Sequence, residues 1–434
     1  MEFTISCQPR GRNAAVHRTP GLRALVIASL LASGASYAAE PAPGADIASV
    51  RAWLLENSPD LRSMQAEAEA AQARVQPAGA LPDPMAGIEL RGIDPHRPTL
   101  LPGNVGTTLY TLKQELPLWG KRELARDAAR QQADAARLDR DAAALGLLAR
   151  VEQVYVRYWH ARESVSIIDR QLALLGQMEE VARARYAVGD AAQQDSIRAQ
   201  VALTVMQGER IRRLAAREEA VAWLNATLGR PADALLAEPE SEPALPMPAA
   251  SLGDALDALD ASGHPALQAS AALADAADTT ARLQRRRRFP GLTVGLGVMQ
   301  RDDRVDGYEV MLEMAIPLQQ RARREREREA LYLGDAARAR SDAVAATLQG
   351  QLGQAWSQAR SAGDQRRLIE QTLMPQAQAN FESALAGYRV GDVDFGTLLE
   401  ALEAWQDAHL SRVDARRDEL IGAAAVRALL GSVE

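Results

Sequence analysis

Four segments of this chain alternate apolar and polar residues with period two. In Met85–Arg91, Ala86, Ile88 and Leu90 alternate with Gly87, Glu89 and Arg91. In 107–118, Tyr110, Leu112 and Leu116 oppose Thr111, Lys113 and Glu115. Leu292, Val294, Leu296 and Val298 (segment 291–299) and Tyr308, Val310, Leu312, Met314 and Ile316 (segment 307–318) repeat the pattern. About ten alternating residues with charge on one face fit a membrane β-strand. Taken alone, each segment also fits a soluble two-sided hairpin.

Between these pairs the period changes. Lys121 to Ala187 holds no proline and reads as one helix, on the order of 100 Å long at about 1.5 Å per residue. Gly189-Asp190 ends it, and Ala192–Leu228 is predicted to return as a second helix, stopped by Gly229-Arg230-Pro231. The same order follows later. A helix is predicted from about Arg321 to Gly387 with a kink at Pro375, then a turn at Gly391-Asp392, then a helix from Thr397 to Leu430. Before the first strand, Asp46–Asn57 and Asp60–Gln76 read as helices separated at Pro59. Small residues at helical spacing, such as Ala125, Ala128, Ala129 and Ala133, allow close helix approach.

The chain therefore repeats itself. Tyr186-Ala187-Val188-Gly189-Asp190 returns as Tyr388-Arg389-Val390-Gly391-Asp392, 202 residues on. Asn57-Ser58-Pro59 returns as Gly263-His264-Pro265, and Leu116-Pro117-Leu118 as Ile316-Pro317-Leu318. Three landmarks in one order imply a duplicated unit of roughly 200 residues, too long for a solenoid repeat. The units are placed at 39–250 and 251–434.

Composition agrees with long helices. Only 4% of the 434 residues are aromatic, and the net charge of −7 gives no basis for nucleic-acid binding. The first 38 residues read as a signal peptide: Arg10, Arg12, Arg18 and Arg23, then apolar Leu25–Leu31, then Ser36-Tyr37-Ala38 as a cleavage site. The single cysteine, Cys7, falls within it, so no disulfide or thiolate metal site is expected in the mature chain. No later stretch reaches about 18 apolar residues, which leaves a soluble chain or a β-barrel. Four strands cannot close a barrel alone, and open edges are not tolerated in lipid, so strands must be shared between copies. Two copies would give a barrel filled by side chains, three an aqueous lumen. The fold class expected is mainly α, a helical coiled-coil barrel carrying four membrane strands per chain.

Together, the signal peptide, the duplication, the paired strands, the long helices and the two Tyr-x-Val-Gly-Asp turns resemble the TolC-like outer-membrane efflux family over nearly the whole mature chain. That resemblance implies a homotrimer with a 12-stranded barrel in outer-membrane lipid and a helical barrel in the periplasm. It implies docking of a membrane-fusion adaptor, bound to an RND-type inner-membrane pump, at Val188, Gly189, Asp190, Val390, Gly391 and Asp392. The glycines also have a local reading as helix-ending residues of positive φ. Acidic residues just past the tips ring the entrance in that family, and Asp195 and Glu400 stand there in this chain. Thr397 occupies the place of one further expected carboxylate. The alternatives are a helix N-terminal acid for Asp195 and a solvated face residue for Glu400.

Leu81-Pro82-Asp83-Pro84-Met85 and Gln114 to Arg122 resemble the heavy-metal branch, which serves cobalt–zinc–cadmium or copper pumps. Trp119, Lys121, Arg122 and Phe289 suit a membrane interface, and Pro117 and Gly120 a strand-to-helix joint. Arg285-Arg286-Arg287-Arg288 reads as a solvated or interfacial belt. His96, His160, His264 and His409 have no His or Cys partner at metal-ligand spacing, so no metal site and no cofactor is expected. No catalytic constellation can be assembled, which argues against an enzyme. Conduits of the same fold for multidrug efflux or type I protein secretion, and a periplasmic coiled-coil adaptor, are the competing readings.

Overall fold

A computed structural model describes residues 42–302 and 304–431; the expected signal peptide and Cys7 lie outside the described residues. The described chain forms one compact unit from Pro43. Its first half runs α1 (Ile47–Asn57), α2 (Pro59–Ala73), α3 (Val75–Ala78), β1 (Met85–Arg91), β2 (Thr107–Leu116), α4 (Lys121–Ala187) and α5 (Gln193–Thr227). The second runs α6 (Leu252–Ser262), α7 (Pro265–Arg286), β3 (Leu292–Arg301), β4 (Arg304–Met314), α8 (Gln320–Leu368), a π-turn (Ile369–Leu373), α9 (Met374–Val390) and α10 (Phe395–Leu429).

Several predicted limits move, each for a local reason. Residues 117–118 and 315–318 leave the strands because Pro117 and Pro317 have no N–H for the ladder. β4 instead begins three residues earlier, at Arg304, and β3 continues to Arg301. They join at Asp302, whose φ of 44° is the left-handed geometry of a tight hairpin. The helix predicted over Asp60–Gln76 breaks at Arg74 into α2 and α3. Pro375 acts through the π-turn just before it, where i→i+5 bonding accommodates the ring, and α9 then runs past Gly387 to Val390.

The repeated Pro59 and Pro265 are helix starts. The Ser58 hydroxyl accepts from Leu61 N–H at 3.3 Å, and His264 Nδ1 from Ala266 N–H at 3.2 Å. Each precedes a proline at the first helical position, where a missing N–H costs nothing.

The sheet is antiparallel throughout, in the order β1-β2-β3-β4, so the central pair joins one half of the chain to the other. Register fixes the faces. Ile88, Tyr110, Val298 and Tyr308 stand in one cross-strand row; Ala86, Leu112, Leu296 and Val310 stand in the next. The opposite face carries Glu89, Lys113, Glu115, Glu309 and Glu313 together with Gly87, Gly295, Gly297 and Gly307. Lys113 Nζ reaches Glu313 at 2.9 Å across β3. Gly295 beneath them permits this, since a Cβ there would meet Lys113 Cγ at 3.2 Å and Met311 Cβ at 3.3 Å.

The helices do not share one core. α4 packs along α5, α7 and α10, and α8 along α7 and α10. Among the described residues, four apolar clusters are strung along them. One seats α1 on α4 and α5 through Val50, Leu54, Tyr155 and Leu224. Another fills the hairpin end through Met178, Phe381, Tyr388, Phe395 and Leu398. α8 and α10 touch backbone to backbone: a Cβ on Gly422 would lie 2.7–2.9 Å from Ala359 Cβ, Cα and N.

Candidate functional site

The apolar sheet face is bare. Val310 and Leu312 are 74% and 70% exposed, far above what a solvated strand normally carries, and Ile88, Leu296 and Tyr308 join them. The face is a continuous apolar patch bounded by one polar face and two edge strands, β1 and β4.

Just beyond it lies the strand-to-helix joint. Trp119 and Gly120 take φ of 70° and 71°, left-handed values that a tryptophan adopts only when held. Its indole N–H donates to Pro290 O at 2.8 Å, and its ring lies 5.3 Å from that of Phe289. Lys121 Nζ donates to Phe289 O at 2.7 Å, and Arg122 Nε to Gly79 O at 2.9 Å. The four residues expected at an interface thus assemble around this joint, three of them at the Phe289–Pro290 segment.

At the far end the two hairpin tips lie side by side. Gly189 and Gly391 have φ of 83° and 88°. The Asp190 N–H bonds to Arg185 O, and that of Asp392 to Gly387 O, both at 2.9 Å. These six-residue closures satisfy carbonyls that a helix end leaves open. Val188 and Val390 project from the tips, both highly exposed.

The repeated tyrosines nevertheless differ: Tyr186 is 45% exposed and Tyr388 only 2%. Tyr388 packs in the hairpin-end cluster, 5.5 Å from the Phe395 ring, and is covered as well by Arg185. Its guanidinium stacks over the Tyr388 ring at 4.9 Å, donates to Tyr388 O, and donates to Asp190 O of its own tip at 3.2 Å. Tip two has Gly387 at the corresponding position, where a Cβ would strike Val393 Cγ2 at 2.6 Å. Arg185 is a site residue that sequence reading missed; its only signal was an arginine standing where the other repeat has glycine.

The two candidate gate carboxylates sit in different surroundings. Asp195 is half-buried in the first turn of α5. Its charge lies close enough to Tyr388 to act on the phenol: burial pushes the Tyr388 hydroxyl up, Asp195 adds to this, and Arg185 opposes it. Glu400 is exposed on α10 and lines a groove of about 790 Å³ with Arg198, Val201, Val205, Glu403 and Asp407. Thr397 is a cap partner: its N–H donates to Asp394 Oδ1 at 3.0 Å.

Three of the described histidines have structural partners, and His96 is exposed. His264 caps α7, His160 Nε2 lies 2.7 Å from Asp414 Oδ1, and His409 packs edge-on against Trp405 at 4.7 Å. Among the described residues no group of three or more His, Cys, Asp or Glu is placed to hold a metal ion. No described helix is long and apolar enough to cross a membrane.

The family described as "Outer membrane efflux protein" matches residues 52–230 and 260–432. Solved structures share the fold. The outer-membrane channel OprN is 19% identical with a TM-score of 0.76, over 89% of this chain and 90% of that one. The outer membrane protein VceC of Vibrio cholerae is 17% identical at 0.75, over 89% and 96%. CusC, described for conformational changes accompanying folding and transmembrane channel formation, is 16% identical at 0.74, over 89% and 92%. No curated protein matches the sequence. A sheet with one bare apolar face, mounted on long helical hairpins in this fold, defines a channel-type protein of the outer membrane. The chain belongs to the outer membrane efflux protein family.

Proposed function

We propose that this chain is the outer-membrane duct of a tripartite efflux system, a homotrimer that exports heavy-metal cations. The observation that carries the reading is the sheet: bare and apolar on one side, polar and glycine-lined on the other, with an unpaired strand at each edge. β1 and β4 run in opposite directions, so β4 of one copy can continue antiparallel onto β1 of the next, and three sheets of four close without edges. The apolar rows would meet lipid and the Glu89, Lys113, Glu115, Glu309 and Glu313 face would line water.

The helical hairpins would extend into the periplasm, their tips at Val188-Gly189-Asp190 and Val390-Gly391-Asp392 receiving a membrane-fusion adaptor and, through it, an RND-type pump. Asp195 and Glu400 would form the gate. The duct itself performs no catalysis and holds no cofactor; the pump supplies the energy. The metal cargo rests on the strings Leu81–Met85 and Gln114–Arg122. A passage needs no high-affinity ligands, because cargo must leave as readily as it enters.

Purification from outer membranes should yield a detergent-solubilised trimer, and deletion of the gene should sensitise cells to cobalt, zinc, cadmium or copper. A monodisperse water-soluble monomer would overturn the duct. Sensitisation to drugs and dyes alone would replace the metal cargo with a multidrug one.

A further inference from the structure

The joint between sheet and helices carries more positive charge than its surroundings neutralise. α7 ends at Arg285-Arg286 and Arg287-Arg288 follow it, while α8 opens with Arg321, Arg323, Arg324, Arg326 and Arg328. The two runs are adjacent, since Arg323 Nη1 donates to Arg287 O. Of the three carboxylates at the opening of α8, Glu327 is engaged by Arg285 and Glu325 by Arg328, each at 3.0 Å, and among the described residues Glu329 makes no ion pair. Among the described residues, Arg286, Arg287, Arg288, Arg321, Arg324 and Arg326 make no ion pair, and all six are exposed.

These cations share a surface with the aromatic joint. The Arg288 guanidinium lies 5.2 Å over the Phe289 ring, which itself leans on Trp119. Lys121 binds the carbonyl of the same Phe289. Burial lowers the Lys121 ammonium, and the charges of Arg323 and Arg287 lower it further, with Glu115 opposing. Cations are therefore crowded here in excess of local anions. Exposed Leu118, Ile316 and Leu318 lie in sequence between the strand ends and this cluster.

We propose that this belt binds the phosphate of an anionic glycerophospholipid in the membrane leaflet nearest the helices. The proposal rests on the outer-membrane reading above and adds a ligand to it. An acyl chain lying along Ile316 and Leu318 brings its headgroup level with Trp119 and Phe289, where the arginines stand. Guanidinium groups suit this ligand because their planar forks hold phosphate oxygens in pairs. A neutral zwitterionic headgroup carries its own ammonium and gains less. The phosphate is held because it is tethered at that depth by its acyl chains, which separates lipid recognition from simple phosphate binding.

The full chain, purified from membranes and stripped of lipid, is offered phosphatidylglycerol or phosphatidylethanolamine, and bound lipid is counted by native mass spectrometry. Wild type should retain phosphatidylglycerol preferentially, and rising salt should remove that preference. Each cation near a membrane surface is worth about fivefold in affinity, so Arg287→Gln, Arg288→Gln and Arg324→Gln together should weaken phosphatidylglycerol retention on the order of 100-fold. The same three positions as lysine should keep most of it. If the glutamine variant fails to reach the membrane, the salt titration of wild type decides alone. Equal retention of both lipids by wild type, or unchanged retention in the glutamine variant, overturns the proposal. So does full displacement by soluble glycerol 3-phosphate at millimolar concentration, which would mark a free-phosphate site. A chain extracted from membranes by alkaline carbonate would instead overturn the membrane reading itself, and this proposal with it.

Discussion

Single residues decide the tips. Gly189 and Gly391 hold φ values that a β-branched side chain reaches only with strain, on the order of 1–3 kcal/mol. The two positions are not equally roomy: a Cβ on Gly189 meets nothing within 4 Å, whereas one on Gly391 comes within 3.3 Å of Arg185 Nη2. Gly391→Val should therefore disturb the Arg185 contacts as well as the turn. Gly189→Val should strain the turn alone. With expression and trimer content matched, export should fall in both variants and further in Gly391→Val. Equal, wild-type export in both would remove the tips from adaptor docking.

At the scale of elements, α8 and α10 pack closely enough for their backbones to touch. Gly422 lets the helices meet at Ala359 backbone, so any side chain there must push them apart. Gly422→Leu should destabilise the helical part by about 1–3 kcal/mol through overpacking, read as a lowered midpoint in thermal denaturation followed by circular dichroism. An unchanged midpoint would mean the helices slide freely past that contact.

Much of this level was legible in the sequence. The limits of α4 followed from an uninterrupted run between Gly120 and Gly189, and the face assignment of all four strands followed from alternation, because pairing partners share a face. Strand ends were less legible. The β4 start at Arg304 depends on the left-handed turn at Asp302, which composition alone did not mark. The pairing of β2 with β3 could not be read from alternation, since periodicity says which face a residue takes but not which strand lies beside it. Arg185 was hidden for a similar reason: its partners, Tyr388 and the second tip, stand about 200 residues away.

At the scale of the whole molecule, charge near the tips should set what passes. In the proposed trimer Asp195 and Glu400 together give six carboxylates beyond the tips, and a ring of like charge at a constriction favours cations. Asp195→Ala with Glu400→Ala should lower cation-over-anion selectivity in planar bilayers and raise single-channel conductance. Their surroundings separate the single effects. Asp195 bears on buried Tyr388, so its loss should act mainly on opening. Glu400 lies exposed in the groove, so its loss should act mainly on selectivity. Should the double variant conduct like wild type on both counts, the two are ordinary helix-face acids.

The clasp between the tips has a consequence for symmetry. Arg185 makes the two halves of the duplication unlike at their ends: one tip keeps its tyrosine outside, the other shields it beneath a guanidinium. A ring of three such chains would present six tips in strict alternation, a threefold pattern disguised as a sixfold one. A partner that reads only the shared Val-Gly-Asp turn would find six equivalent seats. One that also touches Tyr186 would find three, with three of another kind between them.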